Sequence, residues 1–248
     1  MRHRSQLVGS LLLLAASLVA TATCAAERSP PGAARVVSTP ADTPPSAEGF
    51  TGSLVGAELL PRHHTVLYGA MGWPDAIIGV QRGATSAFDW GGRVRLQFGR
   101  GLRVGGGGFG LGGNLRLRFA RWRGWTFATV AEPELLFHGR PVNHPPLDGD
   151  DPNATVALQL GVPSVVADKR LKSDVRLALA AKVPFTIHMV PQAVWQTPVY
   201  AEASVEVRLQ PRLMLLAQVA TGADFYGPGG AGGAAFYAHT RLGLAWRM

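Results

Sequence analysis

Residues 88–98 read FDWGGRVRLQF, and this stretch decides the fold. Successive side chains of a β-strand point to opposite faces, so residues two apart share a face. One face of this stretch is wholly apolar and carries Phe88, Trp90, Val94, Leu96 and Phe98. The other face is polar and carries Asp89, Arg93, Arg95 and Gln97. The pattern predicts a strand in a sheet that separates an apolar environment from a polar one.

The same alternation recurs along the chain and predicts the number of strands. It is clear at 109–119, 175–183, 199–209 and 236–246, and weaker at 64–72, 75–82, 125–137, 154–162 and 212–221. We therefore predict ten strands, although eight or twelve also fit. Residues 171–183 also allow a helix, because Leu171, Val175 and Leu179 recur every four residues. We prefer a strand there, because its neighbours are strands and its polar residues alternate.

Composition and connection lengths favour a membrane barrel over a soluble β-sandwich. Charged residues make up 16% of the chain, against about 25% in a typical soluble domain. No stretch after residue 26 approaches the roughly 20 apolar residues of a membrane helix. The connections alternate in length, with short ones at 83–87, 121–124, 163–172 and 210–211, and longer ones at 139–153, 185–197 and 222–234. Short turns at one end and long loops at the other are typical of outer-membrane barrels.

Aromatic residues gather near both ends of the predicted strands and predict two girdles at the membrane interfaces. The set near the short turns is Phe88, Trp90, Phe119, Trp122, Trp125 and Trp246. The set near the long loops is Trp73, Phe98, Phe137, Trp195, Tyr200 and Phe236. A strand of about ten steps, tilted by about 40°, spans about 26 Å, close to the apolar band of such barrels. We therefore predict an all-β, closed, antiparallel up-and-down transmembrane barrel.

The start of the chain predicts export. Residues 2–4 are basic, residues 7–20 are apolar, and the small residues at 21–26 offer a signal-peptidase site. This order is typical of a secretory signal peptide, and the apolar region is too short for a membrane helix. We expect cleavage near Ala25 or Ala26 and an outer-membrane location.

The predicted organisation has three parts: a signal peptide at 1–26, a disordered periplasmic leader at 27–50 and the barrel at 51–248. The leader is rich in Pro, Ala, Ser and Thr and cannot bury enough apolar area to fold. Cys24 is the only cysteine, and threonines stand one and three residues before it where a lipoprotein signal usually has other residues. Its lipidation stays open. Without Cys24 the mature chain has no cysteine for a disulfide or a metal.

In these features the chain resembles the Gram-negative outer-membrane β-barrel proteins as a class. The likeness covers the signal and the alternating segments from about residue 64 to 248, and it points to no particular family. It implies contact with outer-membrane lipid and insertion by the barrel assembly machinery. Members of the class usually end on an aromatic residue, whereas this chain ends Trp246-Arg247-Met248.

The inward faces carry charges of both signs. The predicted lumen-lining residues are Asp89, Arg93, Arg95, Arg116, Arg118, Glu132, Glu134, Asp174, Arg176, Lys182, Glu202, Glu206, Arg208 and Arg241. A barrel of about ten strands is narrow enough for its side chains to fill it. We interpret the set as a salt-bridged filling in a structural barrel or a small-conductance pore. The alternative is a weakly anion-preferring pore for a small solute or ion, lined by Arg93, Arg95, Arg116 and Arg118.

Two further functions stay open: a barrel enzyme that acts on lipid, and a soluble barrel that binds a small apolar ligand. An enzyme of this kind needs a Ser with a nearby His. Ser204 is the candidate nucleophile, and the candidate histidines are His138, His144, His188 and His239. None of them forms a local motif, so no catalytic residue is predicted.

No cofactor, metal or nucleic-acid partner is predicted, and the oligomeric state stays open. Gly108, Gly110 and Gly113 match GxGxxG, but no amphipathic helix follows as a dinucleotide site requires, and strand bending explains the glycines better. The loop histidines are interpreted as solvated. The net charge of +8 does not indicate nucleic-acid binding, because the arginines are spread over alternating segments.

Overall fold

The computed structural model of the chain describes residues 52–100, 103–138, 155–160, 164–190, 194–227 and 233–248. All of them fall within the unit of residues 47–248. The predicted signal peptide at 1–26 and the predicted leader at 27–50 lie outside the described residues. Within the described part, no helix is long and apolar enough to cross a bilayer.

The described residues form thirteen β-strand segments. In chain order they are β1 Thr65–Trp73, β2 Asp75–Gly83, β3 Phe88–Arg100, β4 Arg103–Trp122, β5 Trp125–Ala131, β6 Glu134–His138, β7 Thr155–Leu160, β8 Ser164–Arg170, β9 Val175–Lys182, β10 Phe185–Val190, β11 Val194–Gln210, β12 Leu213–Gly227 and β13 Gly233–Arg247. Three consecutive pairs, β5 with β6, β7 with β8 and β9 with β10, are halves of single barrel strands. Pro133 and Pro184 lie at two of the breaks. Proline has no N–H to donate to the neighbouring strand, so it interrupts the pairing there.

These ten barrel strands close on themselves. β1 pairs antiparallel with β2 on one side and with β13 on the other, so that Gly69 lies opposite Ile78 and Leu244. Each described strand segment is paired on both sides, so the described sheet has no free edge. The predicted fold class, an all-β closed antiparallel barrel of about ten strands, is therefore confirmed. Residues 175–182, for which a helix was the alternative, form β9.

The two faces of the wall have opposite character. Large apolar side chains point outward and are exposed, among them Met71 at 67%, Ile78 at 64% and Leu242 at 60%. Charged side chains such as Asp89 and Glu134 point inward and are buried. A soluble domain would instead turn its apolar faces toward a shared core.

Strand structure continues through parts of three segments that the sequence predicts to be connections. β8 occupies Ser164–Arg170 in the predicted connection 163–172, β10 lies within 185–197, and β12 extends to Gly227. In β8 the alternation is hidden, because the inward Val166 is as apolar as its outward neighbour. Because β8 extends to Arg170, the connection to β9 is a tight turn. In this turn the Val175 carbonyl accepts hydrogen bonds from the Leu171 and Lys172 N–H groups.

Residues 52–60 precede the first strand and lie inside the barrel, and we call them the plug segment. Ala57 is fully buried and Leu60 is 1% exposed. Its apolar residues join two inward-facing clusters, one containing Val66, Tyr68, Ala70, Ile77, Met214, Leu216 and Ala245, the other Ala128, Val130, Val166 and Ala178. Arg62, just after the plug segment, forms a bridge with Gly83 at the end of β2. The segment therefore enters from the end of the barrel that carries the short turns.

Candidate functional site in the barrel interior

The interior divides into two halves along the barrel. We call the end with the β2–β3, β4–β5, β8–β9 and β11–β12 turns the short-turn end, and the opposite one the long-loop end. The half near the short-turn end contains the plug segment. The half near the long-loop end is lined by charged side chains of the wall.

Arg116 of β4 is the centre of the plug half. Its Nη1 donates hydrogen bonds to the carbonyl oxygens of Leu54 at 2.8 Å and Gly56 at 2.9 Å, and its Nη2 donates to that of Ser53 at 2.8 Å. Its Nε also donates to Asp89 Oδ1 at 2.8 Å. The Arg116 side chain is 1% exposed. One guanidinium thus binds both the barrel wall and the backbone of the plug segment.

Three carboxylates of the wall accept N–H groups from the plug segment. Glu206 Oε1 accepts hydrogen bonds from the backbone nitrogens of Leu54 at 2.8 Å and Val55 at 2.9 Å. Asp168 Oδ2 accepts one from the Glu58 nitrogen at 2.9 Å, and Asp89 Oδ2 accepts one from the Leu60 nitrogen at 3.1 Å. Within this half, charged groups of the wall bind both the carbonyls and the N–H groups of the segment. The segment is therefore held by hydrogen bonds to its backbone as well as by apolar packing.

Gly56, at the turn of the plug segment, has no room for a side chain. A Cβ atom added at Gly56 would lie 2.4 Å from Asp168 Oδ2 and 2.6 Å from Ser53 Oγ. The Gly56 nitrogen donates a hydrogen bond to Ser53 Oγ at 2.6 Å, which closes the turn. Glycine is required here because the backbone approaches the wall closely.

In the long-loop half four carboxylates and four cations pair with one another, and a fifth buried carboxylate, Asp224, accepts a hydrogen bond from Gln196 Nε2. Arg241 contacts Asp75 through two hydrogen bonds of 2.7 Å. Arg93 and Arg95 both bind Glu134 Oε2, at 2.8 and 2.6 Å. The remaining ion pairs are Arg93 with Glu132 at 2.6 Å, Lys182 with Glu132 at 3.5 Å, Lys182 with Glu202 at 3.3 Å and Arg95 with Asp75 at 3.8 Å. The network is electrically balanced, and its members share partners.

One small cavity lies among the side chains of this network. A cavity of about 80 Å³ is lined by residues that include Asp75, Arg95, Lys182, Tyr237 and Arg241. A volume of this size holds only a few water molecules. The cavity is bounded by the paired side chains of the network.

Below the cavity, Glu202, His239 and Tyr237 form a chain of contacts. His239 Nε2 lies 3.3 Å from Glu202 Oε2, and His239 Nδ1 lies 3.2 Å from the Tyr237 hydroxyl. If the Nε2 hydrogen faces the carboxylate, Nδ1 is the acceptor for the tyrosine hydroxyl. Tyr200 stacks on Tyr237 with ring centroids 4.7 Å apart. A phenol, an imidazole and a carboxylate thus lie in one row of close contacts.

The structure brings twelve of the fourteen predicted lumen residues into these two halves. The other two, Asp174 and Arg208, form an ion pair at the short-turn end, where their side chains are 50% and 32% exposed. Asp174 precedes the first residue of β9, and so it lies in the turn. Arg118 binds Glu58 of the plug segment at 3.4 Å. Sequence reasoning did not identify the plug segment, or Asp75 and Asp168 as inward carboxylates.

The predicted aromatic residues lie mostly on the outward face. Trp90, Phe119, Trp122, Phe98 and Phe236 are exposed there. Tyr200 differs, because it shares the inward face of β11 with Glu202 and stacks on Tyr237 inside the barrel. Its side chain follows the period of two, which the polar residues of its own strand already indicate.

The candidate serine and histidines are not brought together. Ser204 Oγ accepts a hydrogen bond from Gln218 Nε2 at 3.4 Å, while His239 contacts Glu202 and Tyr237. The side chains of His138, His144 and His188 lie outside the described part of the chain. Among the described residues, no three His, Cys, Asp or Glu side chains are grouped so that they could hold a metal ion.

The glycines of the GxGxxG match lie within β4, and no helix follows them there. A Cβ atom added at Gly110 would lie 2.2 Å from Glu134 Oε1. Close approach of Glu134 to the β4 backbone therefore accounts for Gly110.

Comparison with known proteins identifies no family. No protein-family model matches the sequence. No curated protein matches it. The outer membrane protease OmpT from Escherichia coli is similar in structure, with a TM-score of 0.40 and 11% sequence identity over 76% of this chain and 97% of OmpT. A likeness of this size carries no argument about the activity of this chain.

Proposed function

We propose that this chain is an outer-membrane β-barrel whose lumen is closed, and that its role is structural. The outward face supports the membrane location, because exposed Met71, Ile78, Leu96 and Leu242 would be an aggregation hazard in water. The aromatic residues at both ends of this face fit the two interfaces of a bilayer. The choice of the outer membrane and the direction of insertion rest on the resemblance to the class.

The observation that carries the closed lumen is the bonding of the plug segment to the wall. Arg116 binds three of its carbonyls and Glu206 binds two of its N–H groups. An ion moving through the barrel would have to displace these buried bonds. The network in the other half adds a second barrier, since its cations are held in ion pairs with carboxylates across the lumen.

The alternative of an anion-preferring pore is less well supported. Arg93, Arg95 and Arg116 are each paired with carboxylates inside the barrel. Arg118 binds Glu58 of the plug segment. Cations with these partners do not present a continuous positive path to an anion.

Recording in planar lipid bilayers tests the closed lumen. We expect the purified, refolded chain to give no steady current steps. The double variant Asp168→Asn, Glu206→Gln weakens the hold on the plug segment and should produce brief openings. Steady steps in the unchanged chain that vanish in the Arg95→Gln, Arg116→Gln variant would establish the pore instead.

Membrane fractionation tests the location. The chain expressed in a Gram-negative host should sediment with outer-membrane markers and resist extraction with carbonate. A mature chain that stays in the aqueous fraction without detergent would contradict the proposal and favour a soluble barrel.

A lipid-acting enzyme is a second candidate, favoured by the contacts of Glu202, His239 and Tyr237. A base oriented by a carboxylate and placed on a hydroxyl is an arrangement used to activate nucleophiles. Hydrolysis of phospholipid by the reconstituted chain, lost in Tyr237→Phe and retained in Ser204→Ala, would support this candidate. Loss in Ser204→Ala alone would assign the reaction to the serine, and no hydrolysis by the unchanged chain would exclude both.

A further inference from the structure

Six basic residues surround the short-turn end, and we call them the basic collar: Arg82, Arg123, Lys169, Arg170, Lys172 and Arg212. They come from the end of β2, the β4–β5 turn, the β8–β9 region and the β11–β12 turn. Five of the six are exposed, and Lys169 is half-buried. The collar thus runs around much of the barrel at one height.

The described carboxylates do not neutralise this collar. The buried carboxylates Asp89, Asp168 and Glu206 bind the plug segment, and the more exposed Glu58 and Asp174 are each paired with another cation. Glu58 pairs with Arg118 and Arg121, and Asp174 pairs with Arg208. Within the described part of the chain, no carboxylate lies within ion-pair distance of a collar cation. In the other half of the barrel, by contrast, each cation of the network has a carboxylate partner.

One further group near the collar is uncharged at neutral pH. Burial, and then the Arg247 guanidinium, lower the pKa of the His64 imidazole below its ordinary value. His64 precedes β1, and so it lies beside the collar. His64 therefore adds no charge to the collar at neutral pH, and the six collar cations are Arg and Lys side chains.

Two of the six collar cations lie against tryptophan rings. The Arg123 guanidinium lies 4.7 Å from the ring centroid of Trp122, and the Lys169 ammonium lies 5.8 Å from that of Trp125. The Trp122 side chain is 60% exposed on the outward face. Tryptophan prefers the headgroup level of a bilayer. Cations held against these rings therefore lie at the level of the lipid phosphates.

We propose that the basic collar binds the headgroups of anionic phospholipids in the leaflet at the short-turn end. This inference rests on the proposed membrane location. A ring of exposed cations next to an apolar belt is complementary to a lipid that carries a phosphate above two acyl chains. Each basic residue near an anionic surface raises the affinity on the order of fivefold at low salt. The preference should weaken when salt screens the charges.

Tryptophan quenching by brominated lipids tests the proposal. The chain is reconstituted into phosphatidylcholine vesicles that contain either brominated phosphatidylglycerol or brominated phosphatidylcholine. We expect several-fold stronger quenching per mole of brominated phosphatidylglycerol. In the variant with all six collar residues changed to Gln, both brominated lipids should quench the tryptophan fluorescence equally. The control variant Arg208→Gln, Asp174→Asn removes a neutral pair at the same end and should keep the preference.

Two further experiments show which end of the barrel has the lipid preference and replace the six-fold variant if it does not fold. The preference should weaken in Trp122→Phe, Trp125→Phe, which keeps Trp90 and Trp246 as the reporters at the short-turn end. It should persist in full in Trp73→Phe, Trp195→Phe, whose rings lie near the other end. If the six-fold variant does not fold, about 1 M salt added to the unchanged chain replaces it and should abolish the preference. Equal quenching by both lipids in an inserted, folded barrel would overturn this inference. A chain that does not float with vesicles of any composition would overturn the proposed membrane location instead.

Discussion

The two halves of the barrel interior are filled in different ways. In the plug half, wall residues bind the backbone of one short segment, and Arg116 alone contacts Asp89 and three carbonyls. In the long-loop half, side chains bind other side chains, and Asp75 and Glu134 each have two cationic partners. Among the described side chains of the plug half, Arg116 is the one cation paired with Asp89, whereas each of these two carboxylates in the long-loop half has a second cation. The comparison predicts that equivalent substitutions will have unequal effects.

The largest effect is expected for Arg116→Gln. The change leaves Asp89 and three buried carbonyls without their main donor, and breaking a buried ion pair costs about 3–5 kcal/mol. Urea unfolding of the barrel in lipid vesicles, followed by tryptophan fluorescence, measures this free energy. A loss below about 1 kcal/mol would mean that the plug segment is not held by Arg116.

A smaller effect is expected for Arg95→Gln in the other half. Glu134 keeps Arg93, and Asp75 keeps Arg241, so no buried carboxylate is left unpaired. The loss should be about 1 kcal/mol, the value of an ordinary hydrogen bond. The same urea experiment checks it, and a loss equal to that of Arg116→Gln would show that the network is not redundant.

The sequence predicted the wall of the barrel better than its contents, and the reason lies in the plug segment. Alternation measures the difference between two faces of a strand. It is clear at 88–98, where the inward face is charged, and weak at 64–72 and 212–221. Those weak strands turn Val66 and Leu216 inward, where they pack in the cluster that also holds Leu54. An apolar lining around an apolar segment removes the very difference that reveals a strand.

The pairing of the lumen charges was also beyond the sequence. Alternation assigns Arg93, Arg95 and Glu134 to the inward face, but it does not give the register between strands. Glu134 meets both arginines only because β6 lies opposite Gly112 and Gly110 of β4. Tyr200 shows the opposite case. Its position in β11 predicts an inward ring, and its aromatic character alone led to a place in the outer girdle.

Overpacking sharpens the contrast between inside and outside. Ala57 of the plug segment is fully buried against Val130, Val166 and Ala178, so Ala57→Leu should cost about 1–3 kcal/mol. Ala203 is the matched control, because it lines an outward groove of about 530 Å³ on the apolar face. Ala203→Leu should change the unfolding free energy by about 0.5 kcal/mol or less. Equal losses in urea unfolding would contradict the placement of Ala57 inside the barrel.

The smallest effect is expected at the exposed rim, for Asp174→Asn. The hydrogen bond from Arg208, and then that from Ser173, lower the pKa of the Asp174 carboxyl. A lowered pKa means that the pair stabilises the fold above the ordinary pKa of an aspartate and loses this contribution as the pH falls through the lowered pKa. Because the carboxyl is solvated, we expect no measurable change in the urea midpoint at pH 7, and none at pH 3. A clear fall in the urea midpoint at pH 7 that vanishes at pH 3 would show that the pair at the short-turn rim supports the plug half. The difference between the two halves would then not come from the redundancy of the long-loop network alone.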